Sequence, residues 1–305
     1  MEDKIRGGLY GVAVGDALGA TVEFLTPREI KEKYGRHSEM IGGGWLSLKP
    51  GQFTDDTYMT MAVAEGLLAD PDDPVGKIGA GFMSWFRSNP PDVGNTVRTA
   101  LTCFAETGDW EKAAREARRL LHGRVGSNGC LMRTLPVTFA YLRDPGKMAK
   151  MSRKIAAMTH QDPEAEMACA FYNRYAAELV GDQNKEGALR TVLKELEADF
   201  KTWGTEELYG RLVRVASLRK QDLRASGYVV DTLIAALKVF LAGDDFENTV
   251  VEAVNLGDDT DTVGAVTGGL AGVYYGFGRI PQRWLEPLKY KNRMDYIVEK
   301  FLKTS

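Results

Sequence analysis

The apolar residues of this chain recur with a helical period. Met59, Ala62, Val63, Gly66 and Leu67 fall at i, i+3, i+4, i+7 and i+8, which puts them on one stripe of a helix. Val230, Leu233, Ile234, Leu237 and Leu241 keep a helical spacing, with Phe240 beside them. So do Leu189, Val192, Leu193 and Leu196, and again Trp110, Ala113, Ala114, Ala117 and Leu120. Strand-like alternation is scarce; residues 41–48 read as an extended turn or a tiny hairpin. The Pro-containing breaks at residues 70–74, 89–91 and 144–146 are short, as loops between packed helices are. The pattern predicts an all-α chain of ten or more helices, forming one domain over residues 1–305.

Two segments depart from ordinary helix composition. Residues 7–20 read GGLYGVAVGDALGA, and residues 264–276 read GAVTGGLAGVYYG. Glycine inside a helix costs roughly 1 kcal/mol relative to alanine, so its repetition needs a reason. Close helix–helix packing is one; room for backbone to approach a ligand or metal centre is another. The two are compatible.

Length and composition narrow the classes. The 305 residues are 44% hydrophobic and 27% charged, enough for a large core without covalent staples. Three scattered cysteines, Cys103, Cys130 and Cys169, form no CxxC pair, which speaks against a disulfide framework and a zinc site and for a reducing, cytoplasmic setting. The first apolar stretch is broken by Asp16 and lacks a basic leader, and no run of 18 apolar residues occurs; neither a signal peptide nor a membrane span is expected. A net charge of -3 without a basic cluster argues against direct nucleic-acid binding.

The chemistry concentrates in two acidic clusters, Thr54-Asp55-Asp56-Thr57 and Asp258-Asp259-Thr260-Asp261-Thr262. Each precedes an apolar helical run and so falls at a helix N-terminus, where free N–H groups favour carboxylates. One such cluster reads as an N-cap. A cap needs one side chain, however, and crowded carboxylates repel unless a cation neutralises them or some stay protonated. If the clusters meet, at least four carboxylates and several hydroxyls form an all-oxygen site suited to Mg²⁺, Mn²⁺ or Ca²⁺, with room for two ions. No GxxxxGK[ST] loop, HExxH or GxSxG occurs. Residues 125–129, VGSNG, read as a flexible turn before a helix starting near Leu131, or as a loop offering N–H groups to a phosphate. None of the three histidines, His37, His122 and His160, pairs with a nucleophile in the sequence.

On these residues the chain resembles the ADP-ribosylglycohydrolase family. The resemblance runs in order through Gly15-Asp16-Ala17-Leu18-Gly19 with Glu23, Thr54-Asp55-Asp56-Thr57, Asn128-Gly129-Cys130-Leu131-Met132-Arg133, Thr159-His160 and Asp259-Thr260-Asp261-Thr262. Residues 42–52, 92–96 and 228–232 are similar to the branch that acts on the nitrogenase iron protein. The resemblance implies a single compact multi-helix domain with a dinuclear Mn²⁺ or Mg²⁺ centre. It also implies hydrolysis of the bond between ADP-ribose and a protein arginine, hence a place in regulating nitrogen fixation. By position it makes Thr54, Asp55, Asp56, Asp259, Asp261 and Thr262 the metal ligands. Asp92 and Glu23 become the catalytic acids, and Asn95, Gly126, Ser127, Asn128, Gly129, His160 and Tyr228 the lining of the ADP-ribose cleft. Asp258 departs from the branch, where glycine is usual. The implied partners are an ADP-ribosylated protein, acted on by a monomer, and an ammonium-signalling protein. Alternatives are hydrolysis of serine-linked ADP-ribose or O-acetyl-ADP-ribose, a non-catalytic ADP-ribose-binding protein, and another two-metal hydrolase such as a phosphoesterase.

Overall fold

The computed structural model describes residues 1–304. It is all-α. In chain order the helices are α1 (Glu2–Gly19), α2 (Pro27–Tyr34), α3 (Asp55–Ala69), α4 (Val75–Arg87), α5 (Asn95–Thr107), α6 (Trp110–Leu120), α7 (Pro136–Ala140), α8 (Pro145–Ala157), α9 (Pro163–Val180), α10 (Lys185–Thr202), α11 (Glu206–Arg214), α12 (Val229–Ala242), α13 (Phe246–Val254), α14 (Thr260–Tyr275), α15 (Gln282–Leu285) and α16 (Lys291–Thr304). The four periodic segments read from the sequence are α3, α12, α10 and α6. Among the described residues β-pairing is limited to two isolated bridges, Gly43 with Leu48 and Ser127 with Tyr228; the first is the expected tiny hairpin.

Local chemistry sets many of the starts. Thr26 and Glu29 form a reciprocal capping box with Pro27 in the first turn of α2, which satisfies two otherwise free N–H groups. Asp144 caps α8 and Asp162 caps α9, each followed by proline, the residue whose missing N–H costs nothing there. Asp144-Pro145-Gly146 is therefore a helix start as well as a break.

The glycine-rich segments are α1 and α14, and they pack antiparallel with their backbones in contact. A Cβ on Gly7 would lie 2.2 Å from the Gly272 carbonyl oxygen. One on Gly11 would lie 2.1 Å from that of Gly268, and one on Gly15 2.0 Å from that of Gly264. At the end of the row, a Cβ on Gly19 would meet the Thr260 carbonyl oxygen at 2.2 Å and the Asp261 Cα at 2.4 Å. Glycine every fourth residue lines one face, and only that face permits such an approach. The helix-packing reason for the glycines is the operative one, and it fixes the register that sets the C-terminal end of α1 beside the start of α14.

The principal core gathers around this pair and α9, α12, α13 and α16, with Phe171, Tyr172, Phe240 and Trp284 fully buried in it. A second core under α3, α4 and α8 contains Met59, Phe82, Met132 and Ile155. No helix among the described residues is long and apolar enough to cross a membrane.

Candidate active site

The site forms where the α1–α14 pair ends. Asp16 is the one acid in the apolar, glycine-rich part of α1 that follows Arg6, and it is completely buried. Its Oδ1 accepts from the backbone N–H of Thr54 at 2.9 Å and from Thr54 Oγ1 at 3.0 Å. Its Oδ2 accepts from the Thr57 N–H at 3.0 Å and from Thr57 Oγ1 at 2.5 Å. Asp16 thereby ties the first turn of α3 to α1, while Thr260 Oγ1 donates to the Gly19 carbonyl at 2.8 Å and ties on α14. The two acidic clusters meet because of these ties. Asp16 and Thr57 are absent from the set inferred by resemblance; the sequence signal for Asp16 is an acid inside a small-residue apolar helix.

The resulting cleft of about 240 Å³ is lined by Glu23, Asp55, Asp56, Asp92, Asp259 and Asp261, together with Phe24, Asn95, Thr96, Ser127, Asn128, Gly129, Gly227 and Thr262. A larger cavity of about 930 Å³ lies between α9, α13 and the end of α14 and contains neither acidic cluster; size alone does not locate the chemistry. Thr54 stands beside the cleft acids as the cap of α3, its hydroxyl donating to Asp16 and Asp56. Asn128 Nδ2 donates to Asp259 Oδ2 at 3.0 Å and to Thr232 Oγ1 at 2.9 Å, so it orients that acid. Trp45 Nε1 donates to Glu23 Oε2 at 2.7 Å.

Three positions implied for the cleft lining by resemblance lie directly next to that lining rather than in it. His160 is 0% exposed and lies one layer back, hydrogen-bonded to Ser127. Tyr228 is 38% exposed, with its hydroxyl turned to Glu164 rather than to the acids. Gly126 accepts at its carbonyl from the Val229 N–H at 3.0 Å. The loop containing it is not a flexible turn: Asn128 N–H also bonds the Gly227 carbonyl at 3.0 Å. Nor does a helix begin near Leu131. A 3-10 turn spans Asn128–Cys130, and α7 starts only at Pro136, whose fixed φ suits a first helical turn.

Asp258 has φ +65°, the left-handed region where glycine is least strained and aspartate is tolerated. Its carbonyl accepts from Phe24 N–H at 2.8 Å, and its own N–H bonds the Leu25 carbonyl at 2.9 Å. This explains the usual glycine there, and the exposed Asp258 side chain lies outside the cleft lining.

Burial and crowding set the protonation of the acids. Burial pushes the Glu23 carboxyl up to about 8, with Asp259, Asp92 and Asp55 adding to the rise against the Trp45 hydrogen bond. Asp55 is raised to about 8 by burial and by Asp92 and Asp16. Asp56 and Asp261 are held well above the ordinary range, first by burial and then by the surrounding carboxylates. The donor set fits a hard cation: its side-chain donors are all oxygen, and Asp56 Oδ1 is buried with no hydrogen-bond partner, a costly state for a polar atom. Among the described residues no three His, Cys, Asp or Glu side chains are drawn together as a ready-made ion cage. The fit therefore rests on donor chemistry and the orphaned oxygen.

Residues 1–305 match the protein family described as ADP-ribosylglycohydrolase. The chain belongs to the ADP-ribosylglycohydrolase family, a class of glycosidic-bond hydrolases. It is 37% identical over 291 residues to the ADP-ribosyl-(dinitrogen reductase) glycohydrolase of Rhodospirillum rubrum, covering 95% of this chain and 92% of that protein. It is 30% identical over 304 residues to an ADP-ribosylarginine hydrolase of Serratia proteamaculans (strain 568), covering 97% and 78% respectively. A solved structure, an ADP-ribosylglycohydrolase-related protein complex, matches with TM-score 0.82 and 36% identity over 100% of this chain and 98% of its own.

Proposed function

We propose that this cleft hydrolyses the bond between ADP-ribose and a protein arginine, reversing mono-ADP-ribosylation. In this reading Asp55, Asp56, Asp259 and Asp261, with Thr54 and Thr262, hold two divalent ions, Mn²⁺ or Mg²⁺. The observation that carries it is the convergence of two sequence-distant acidic helix starts on one cleft, with a buried carboxylate oxygen left unpartnered. Two relatives whose names specify ADP-ribosyl-dinitrogen reductase and ADP-ribosylarginine support the linkage; the first supports the nitrogenase iron protein as target.

Bound ions would supply Lewis acidity and a more acidic water. The chain's own residues do the rest. The transition state of glycoside cleavage carries positive charge at the ribose carbon, and an acid-lined cleft stabilises such charge. Trp45 fixes one oxygen of Glu23, leaving Oε1 to accept from a ribose hydroxyl. Asp92 sits half-buried in the lining, its carboxyl raised first by burial, and is placed to exchange a proton with the guanidine or with water. A cationic guanidinium is also drawn to a negative cleft.

The test is incubation with an ADP-ribosyl-arginine peptide in Mn²⁺ and then in excess chelator, quantifying free ADP-ribose. Metal-dependent release supports the reading. No release by folded, metal-loaded protein rejects arginine specificity and turns the test to serine-linked and O-acetyl substrates; release of phosphate or AMP points to a phosphoesterase.

A second expectation concerns stability. The raised carboxyls bind protons in the folded state that the unfolded chain releases near pH 4, so ion-free stability falls as pH rises from about 4 through about 8. A divalent ion replaces those protons, and its affinity grows as they leave. The Tm gain on adding Mn²⁺ should therefore be small at about pH 5 and largest at about pH 8. An equal gain at both, or none, in a thermal-shift series would refute the ligand set.

A further inference from the structure

Arg133 is the anomaly of the interior. Its side chain is 0% exposed and its Nε has no hydrogen-bond partner. Its guanidinium stacks on the Phe82 ring at 4.5 Å, and Nη1 points at Met59 Sδ at 3.6 Å. No carboxylate forms an ion pair with it among the described residues. An unpaired buried cation is expensive. Its one oxygen partner is Thr159, whose Oγ1 accepts from Nη2 at 2.7 Å.

From Thr159 a row of hydrogen bonds runs to the cleft. Thr159 Oγ1 lies 2.7 Å from His160 Nδ1. His160 Nε2 lies 2.9 Å from Ser127 Oγ, and Ser127 Oγ lies 3.0 Å from Thr96 Oγ1. Ser127 and Thr96 both line the cleft, whereas Thr159 and His160 are fully buried. Direction follows from proton inventory. A guanidinium only donates, so Thr159 accepts from it. The Thr159 hydroxyl hydrogen then has one polar partner in reach, His160 Nδ1, which must be the acceptor. A neutral imidazole that accepts at Nδ1 carries its proton on Nε2 and donates to Ser127. Ser127 in turn donates to Thr96, whose own hydrogen is left for the cleft. Burial and the Arg133 charge hold His160 neutral, consistent with this state.

We propose that Arg133 is a positioning residue which, through Thr159, locks His160 as the Nε2–H tautomer, so that Ser127 donates to Thr96 and the Thr96 hydroxyl is held as a donor toward an anionic oxygen of the ligand. The ligand half of this rests on the ADP-ribose reading above; the tautomer half does not. Thr96 lies in the first turn of α5, whose free N–H groups add to the preference for negative charge there.

The test uses ¹⁵N-labelled full-length protein, in which long-range ¹H–¹⁵N correlations report the protonation of each imidazole nitrogen. With three histidines in the chain, loss of one signal set in His160→Gln assigns the resonances. In the unmodified protein His160 should show a protonated Nε2 and an unprotonated Nδ1. In Arg133→Met and in Thr159→Val both nitrogens should move to intermediate values, with KM for the ADP-ribosylated peptide rising on the order of tenfold and kcat changing far less. Thr159→Ser keeps the hydroxyl and should restore both readouts; the two threonine variants keep the test alive if Arg133→Met does not fold. An Nδ1–H or charged His160, or unaltered shifts in Arg133→Met and Thr159→Val, overturns the lock. Altered shifts with unchanged KM overturn its role toward the ligand. Absence of turnover on every ADP-ribose substrate defeats the functional reading while the spectra still decide the tautomer.

Discussion

Asp261→Ala should lower release of ADP-ribose on the order of 10³-fold while leaving the ion-free protein at least as stable as before. Asp261 lies in the first turn of α14, 3% exposed, and its carboxyl is raised by burial and by Glu23, Asp56, Asp259 and Asp16. An ion held there contributes several kcal/mol to the transition state, and each 1.36 kcal/mol is a factor of ten in rate. Removing the acid deletes that contribution. It also deletes a repelled, desolvated carboxylate, so repulsion among the remaining acids falls. The side chain's own structural bond, Oδ1 accepting from Thr262 N–H at 2.8 Å, is a local helix-start contact whose loss costs about 1 kcal/mol. Activity and ion-free stability should therefore part company, as they do where function maintains a strained site. Steady-state assay and thermal denaturation with and without Mn²⁺ check this together. Full activity with an undiminished Mn²⁺-dependent Tm gain would remove Asp261 from the ligand set.

Gly15→Ala should cost about 3 kcal/mol of stability or more, at the upper end of the overpacking range. Ordinary helix propensity predicts the opposite sign, a gain of about 1 kcal/mol. The contact decides: the new Cβ would lie 2.0 Å from the Gly264 carbonyl oxygen and 2.3 Å from its carbon. Both are backbone atoms of a packed helix, which cannot swing aside as a side-chain tip can, so α1 and α14 must separate. Asp16 is the next residue and carries four bonds to Thr54 and Thr57, so separation also pulls α3 from the site and activity falls with stability. Gly76→Ala, in the first turn of α4 with open space around it, is the control and should be neutral to slightly stabilising, by up to about 1 kcal/mol. Urea denaturation of the pair measures the difference. A Gly15→Ala protein as stable as the control would mean that the two backbones are not in contact.

The helices were legible because their stripes are local: α3, α6, α10 and α12 each display the 3.6-residue period within a few turns. The acidic helix starts were legible for the same reason, since Thr54 and Asp259 stand directly before α3 and α14. Motif order went further and gave the family, which the chain-length match bears out. Where the reading missed, the missing information was non-local. The helix expected near Leu131 is a 3-10 turn because residues 126–128 are bonded to residues 227–229, about a hundred positions on. The resemblance implies a place for His160 on the cleft lining; the backbone turns its ring inward, between Thr159 and the lining residue Ser127.

By itself, then, the amino-acid order determined the all-α class, the places where carboxylates gather at helix starts, and the small-residue faces of α1 and α14. Only the tertiary structure decided that those faces meet in antiparallel register. With that register came the joining of the two acidic clusters through Asp16 and the burial that raises Glu23, Asp55, Asp56 and Asp261. The reason is physical: a helical period and a cap are written within a few residues, but desolvation and repulsion between charges depend on distances set by elements far apart in the chain.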